Sequence, residues 1–374
     1  MHYFLRLSLL VSACLLIACG GSDGPLTSNP IPTPPPVAET PFTVEAAGLE
    51  ERIIERLYQH EHYLFALTDN GLYRSGLTAE TWQLIGFADM QVLDLSLIND
   101  HHFMAAVRHD DNDGYPVHSL FESTDAGQSW HEIKHNFGGT ETEGIYALAY
   151  QPEQHLLYGS GLDVVAVSSN FGMSWQVLYG DWHTFGQPNR ALAINSELQE
   201  VWSGGQGATE NPLLYQYKLE QNSLHTHHQR MHEILTSGDA DLSPVAMQSI
   251  RFGVQNPEHI YASGEGGIAF SSDNGLSWVN LMGDVDSRFY FDVILDPTVE
   301  SRLFTAGWDK NFDSPQPLIL EWSKDNGQSW EQFTYPNTAV FGGVRSMLAL
   351  QHNQQLVLYF GLYRGGVMKV TPNF

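Results

Sequence analysis

Arginine is scarce in this chain of 374 residues: 12 arginines stand against 43 acidic residues. Arg108, Arg190, Arg288, Arg345 and Arg364 fall in short segments rich in glycine and aspartate. Trp182, His183, Trp308, Asp309 and Tyr363 lie in the same or equivalent segments. A guanidinium presents a planar fork of donors that fits a carboxylate. Trp and Tyr add flat apolar area with a polar edge. Brought together, such groups make a seat for a carboxylate, a sugar or a protein hot spot. Left apart, each arginine pairs with a nearby aspartate and holds a loop in place. Arg190, Arg288, Arg345, Arg364, Trp182, His183, Trp308, Asp309 and Tyr363 are therefore the candidate ligand-binding residues.

Other chemistry is poorly supported. Asp110-Asp-Asn-Asp113-Gly114 has the look of a calcium loop, but EF-hand spacing would put His109 first and Leu120 twelfth, which fails. His225, His227, His228 and His232 invite a metal reading. They are expected instead on or beyond an outer edge strand, exposed. There is no glycine-rich phosphate loop and no Gly-x-Ser-x-Gly elbow. A formal net charge of −26 repels nucleic acid and anionic headgroups. No catalytic residue, no metal and no cofactor is assigned.

The elements that would position these residues are announced by one phrase, Ser-x-Asp/Asn-x-Gly-x-Ser-Trp. It occurs as Ser123, Asp125, Gly127, Trp130; as Ser168, Asn170, Gly172, Trp175; as Ser271, Asp273, Gly275, Trp278; and as Ser323, Asp325, Gly327, Trp330. The copies recur about every 50 residues, with one copy missing in the middle. A period of this length carried by turn chemistry marks a radial β-repeat. The Asp or Asn closes a tight turn, the Gly suits a positive φ, and the Trp is an apolar plate for a neighbouring sheet. The phrase is read as structural, because a catalyst would not be repeated in every unit.

Period-2 alternation divides the body into units at about 50–87, 88–138, 139–182, 183–240, 241–284, 285–337 and 338–374. The first and fourth lack a clean phrase. The seventh ends at its third strand, Gly366-Val-Met-Lys-Val370. Pro41-Phe-Thr-Val-Glu-Ala46 is predicted to supply the missing outer strand and close the ring. The expected fold is all-β: a single seven-bladed β-propeller of four-stranded antiparallel blades over residues 42–374, with no amphipathic helix of any length.

The phrase resembles the Asp-box, or BNR repeat, of sialidases, sortilin-type receptors, some glycoside hydrolases and the photosystem II assembly-factor family. The resemblance covers roughly residues 42 to 374. It implies ligand sites on the face opposite the boxes, around the central channel. That face is built by the second-to-third-strand loops and the connections between blades, where the candidate residues fall. Sialidase chemistry would need three arginines on a carboxylate, a Tyr nucleophile with a Glu partner and an Asp acid. The Phe/Tyr-Arg-Ile-Pro segment of those enzymes is absent; the first unit has only Glu51-Arg52-Ile53-Ile54. Xyloglucanase-type relatives use two propellers, and one is expected here.

The N-terminus reads as a targeting segment. Arg6 precedes a short apolar run, Leu7 to Ala18, too short for a comfortable span. Leu16-Ile17-Ala18-Cys19-Gly20 resembles a bacterial lipobox, which implies lipidation at Cys19 and an envelope, most simply outer-membrane, location. Residues 20–41 carry seven prolines and form an expected disordered tether. With Cys14 and Cys19 the only cysteines, disulfide and thiol chemistry in the body is excluded. The expected function is that of a membrane-anchored, non-catalytic binding or scaffold propeller. It is expected to be monomeric, to recognise an envelope protein or glycan through its loop-rich face, and to touch the membrane through its lipid only. In organisation it is similar to the photosystem II assembly factors. The alternative is a sialidase-like or other glycoside hydrolase.

Overall fold

In the computed structural model of the chain, the structure describes residues 40–236, 245–283, 288–336 and 340–374. Cys19, the targeting segment and nearly all of the proline-rich tether lie outside the described residues, as do residues 284–287 just before Arg288. The body consists of seven four-stranded antiparallel sheets. Their innermost strands are Ile54–His60, Gln91–Leu97, Ala147–Gln151, Ala191–Asn195, Met247–Phe252, Val293–Leu295 and Phe341–His352. This is a seven-bladed β-propeller. The first six sheets each run innermost to outermost in chain order. The sixth blade also carries a small pairing of Arg288–Phe289 with Trp308–Asp309 in its second-to-third connection.

The seventh blade is composite. Phe42–Ala46 pairs with Val367–Pro372, from Phe42 opposite Pro372 to Ala46 opposite Met368. The N-terminal strand therefore closes the ring, as its sequence predicts. Phe42 is 2% exposed and packs edge-on against Trp322, 4.9 Å between centroids. Closure pairs a strand edge that would otherwise be open to other chains.

The four repeated turns explain their own residue types. In each, the first Ser hydroxyl donates to the Asp or Asn side chain and accepts the Gly N–H, at 2.8 Å in all four turns. The same Asp or Asn oxygen accepts the N–H of the second Ser at 2.8–2.9 Å. The Gly sits at φ between +79° and +86°, and the residue before it is also left-handed. A side chain with a Cβ is strained there. Asn170 does the work of an Asp by adding its own N–H donor to the Ser174 hydroxyl. Each Trp then inserts toward the preceding blade: Trp130 donates to the Ile85 carbonyl, and Trp278 packs against Trp202. Small residues make room: a Cβ on Gly159 would lie 3.0 Å from the Trp175 ring.

Two expectations fail in the fourth blade. A helix, His228–Leu235, follows its outer strand and buries Met231 and Leu235 one turn apart. The histidines are not an exposed edge group either. Only His225 is exposed. His227 stacks on Trp202, 5.3 Å and 11° between rings, and His228 sits edge-on to Tyr215. Burial pushes the His227 ring down to about 4, so it is neutral near neutral pH. A flat polar ring here fills the gap between two tryptophans.

Candidate functional site

Antiparallel connectivity puts the repeated turns on one face of the disc. The starts of the innermost strands, the second-to-third loops and the connections between blades lie on the other. At that second face the innermost strands surround a cavity of about 270 Å³ on the ring axis. Its lining includes Glu55, Arg56, Tyr58, Arg190, Ser249, Arg251, Phe291, Asp292 and Arg345.

The polar groups of this channel mouth form three knots. In the first, Asp94 accepts the Tyr58 hydroxyl and the backbone N–H groups of Leu95 and Leu148, with Arg56 at 3.6 Å. It ties three blades together. In the second, on the other side of the ring, Asp292 receives two bonds from Arg251 at 3.1 and 2.8 Å. It also accepts the Ser249 hydroxyl and the N–H groups of Val293 and Met347. The seventh blade is in turn joined to the first by the Leu57 N–H donating to Ser346. Buried carboxylates that accept this many bonds are structural ties.

The third knot differs. Arg190 and Arg345 meet on one oxygen of Glu55, at 3.1 and 2.8 Å, while Gln91 donates to the other at 2.7 Å. Arg56 donates to the Arg190 carbonyl and so stands beside this pair. Burial opposes ionisation of Glu55, but Arg345, Arg190 and Gln91 outweigh it and hold the carboxyl below its usual range. Burial pulls the Arg190 guanidinium down, with Arg345 and Arg56 adding to the fall against Glu55. Two cations thus share one anion.

Of the sequence candidates, Arg190 and Arg345 come together here. Trp308 and Tyr363 come together elsewhere on the same face, stacked at 5.9 Å, with Phe312 5.1 Å from Tyr363. Phe289 and Phe291 complete this group at 4.9 and 5.6 Å from Trp308. Phe291 also lines the cavity, so an aromatic shelf runs outward from the channel mouth. Trp308 is buried at 1%, whereas Phe312 is 41% exposed at the rim. Arg364 is exposed beside Tyr363, its guanidinium 5.2 Å from that ring. Arg288 does not join the channel arginines. It lies 3.8 Å from Asp309 and 3.5 Å from Glu321. Trp182 and His183 brace a loop: Trp182 packs on Phe137, and His183 bonds Glu143 and the Gly138 carbonyl. Asp111 spends its carboxylate on the N–H groups of Asp113 and Tyr115, closing the hairpin that had the look of a calcium loop. Among the described residues, no group of three His, Cys, Asp or Glu could hold a metal ion.

Sequence reading missed Glu55, Arg56, Tyr58, Asp94, Arg251 and Asp292. All lie within or next to innermost strands, whereas most of the sequence candidates come from the segments that connect strands. The strands themselves give no clear signal. Arg56 shares Ile54–His60 with Glu55, Gln59 and His60, and Arg251 shares Met247–Phe252 with Gln248 and Ser249, so neither arginine stands out as a charge in an apolar run.

No family model and no curated protein matches this chain. Solved structures do. A chain described as YCF48 bound to D1 peptide aligns over 90% of this chain and 97% of its own, at 15% identity and a TM-score of 0.57. The GH74 xyloglucanase of Xanthomonas campestris aligns over 87% of this chain but only 53% of its own, at 12% identity and a TM-score of 0.62. A chain of a mitotic checkpoint complex aligns over 90% and 95%, at 11% identity and a TM-score of 0.59. At such identities the likeness is one of fold, and it places the chain among the β-propellers.

Proposed function

We propose that this protein is a non-catalytic binding propeller that recognises a protein partner through the face bearing the channel mouth. One observation carries the reading: the aromatic shelf of Phe291, Phe289, Trp308, Phe312 and Tyr363 is continuous with the arginine-lined cavity. An apolar shelf ending at a charged pocket is the anatomy of a protein hot spot, with aromatic and arginine anchors at its centre. The two structural neighbours named for a bound peptide and for a checkpoint complex agree with this use of the fold.

The hydrolase alternative is not favoured. A Tyr nucleophile would need a phenol that ionises readily, yet burial and the neighbouring Asp94 both push Tyr58 well above its usual range. At the channel mouth Glu55, Asp94 and Asp292 are each held by several donors, so none of these three is left free to face a substrate. The four repeated turns are read as Asp-boxes, and Cys19 as a lipidation site that tethers the domain to a bacterial envelope membrane. Replacement of Cys19 by Ser should move the protein from the membrane fraction to the soluble one; unchanged fractionation would remove the anchor.

The binding reading is tested by Phe312→Ser with Tyr363→Ser. Both side chains reach the surface, so the thermal midpoint should change little. Chemical crosslinking in the native host should lose its dominant partner band. A band of unchanged intensity would count against the shelf.

A further inference from the structure

The charges at the channel mouth do not balance. Arg56 faces Asp94, and Arg251 faces Asp292 through two bonds. Among the described residues, Arg190 and Arg345 have only Glu55 between them. These four guanidinium groups against three carboxylates, counted among the described residues, leave one positive charge in excess, in a chain whose formal net charge is −26. Two like charges that converge on one oxygen repel each other, and in a partly buried site water screens them poorly. The three arginines nearest this point are not sealed off: the side chains of Arg56, Arg190 and Arg345 keep 23%, 31% and 18% exposure.

We infer that the channel mouth is a receptor for a single carboxylate, held by Arg190, Arg345 and Arg56, with Glu55 as the built-in counter-ion that limits the site to one negative charge. The inference rests on the binding reading above and adds the chemical group recognised. One carboxylate restores neutrality. A dianion or a polyanion would be drawn into a cavity with one excess charge and then face the acidic body of the protein. The size agrees: about 270 Å³ is below the usual range for a whole small-molecule site, about 300–1,000 Å³, and suits the end of a chain. The carboxylate could belong to a partner's C-terminus, whose preceding side chain would then reach the aromatic shelf by way of Phe291, or it could be a free small acid. The recognising chemistry is the same.

The test uses the full chain in detergent micelles at constant ionic strength. It follows the thermal midpoint against sodium acetate, against N-acetyl-trialanine with a free carboxylate, and against the amide of that peptide. Saturable stabilisation by acetate and by the free acid, but not by the amide, is expected. Arg190→Gln and Arg345→Gln should each weaken the response about tenfold, the scale of one charge-assisted bond. Glu55→Gln should strengthen it by a similar factor, because the internal competitor is gone. If Glu55→Gln does not fold, the arginine variants carry the test alone. Tighter binding of the peptide than of acetate assigns the site to a chain terminus; the reverse assigns it to a free acid. No saturable response, or a response that Arg345→Gln leaves unchanged, overturns the inference. Partner crosslinks that persist in that event keep the binding reading. A carboxylate response without any partner crosslink keeps the site and removes the partner.

Discussion

The two faces of this disc are built on opposite rules. On one, Ser123, Ser168, Ser271 and Ser323 open four turns whose hydrogen bonds agree to within about a tenth of an ångström. On the other, the ties at Asp94 and Asp292 resemble each other, each accepting the N–H of the next residue and one from the following blade. The meeting of Arg190 and Arg345 on Glu55, however, has no counterpart among the described residues. The channel mouth takes Glu55 and Arg56 from the first blade, Arg251 from the fifth and Asp292 from the sixth. Arg190 comes from the connection into the fourth, and Arg345 from the seventh. A repeated constellation answers a need that every blade shares, namely to turn the chain and cover a neighbouring sheet. A constellation that occurs once, against the symmetry of the repeat, answers a need of the whole molecule. Exposed apolar side chains do not separate the faces, since Met173 and Leu276 protrude from the repeated turns. They stand singly in non-adjacent blades, whereas the aromatic residues beside the channel touch one another.

If this contrast is right, damage to the turn face costs stability and leaves binding intact. The largest effect is expected from Trp278→Ala. It removes a side chain 7% exposed, packed against both Trp202 and His227, and should cost about 3–5 kcal/mol. Chemical denaturation would measure it, and a loss below about 1 kcal/mol would mean that the tryptophan does not hold the blades together. A much smaller effect is expected from Asp125→Asn combined with Asp325→Asn, because Asn170 already fills the same position in the third blade. Hydrogen bonds from Ser129 and Ser329 hold Asp125 and Asp325 down to about 2. A carboxyl whose folded value lies below its unfolded one contributes stability above the unfolded value, and that contribution fades as pH falls through the folded one. The wild-type protein should therefore lose stability between about pH 4 and pH 2, and the double variant should lose less of it. Equal acid sensitivity in both proteins would contradict the role given to these carboxylates.

Much of the fold was legible because its signals are local. The turn phrase sets blade period and phase. Phe42–Ala46 was recognisable as the closing strand because it alternates and had no other partner. The helix at His228–Leu235 was not legible, since eight residues show little periodicity, no side chain caps its first residue and no acid sits in its first turn. His227 was misread for a related reason: its polarity suggests exposure, and only the tertiary arrangement reveals the two tryptophans around it. The candidate site was half legible. Arg190 and Arg345 stand out in sequence beside turn-forming residues, although Arg345 lies within the strand Phe341–His352, and which arginines converge depends on seven strands meeting at one axis. Arg288, equally conspicuous in sequence, finds Glu321 and Asp309 instead.

The central claim is that the partner meets the channel face and not the turn face. A photo-crosslinking amino acid placed at position 312, or at Phe185 in the connection between the third and fourth blades, samples the first, and one placed at position 173 or 276 samples the second. All four side chains are exposed. Irradiated in the native host, positions 312 and 185 should yield one common crosslinked species, and positions 173 and 276 none. A species formed from 173 or 276 but absent from 312 and 185 would contradict the account.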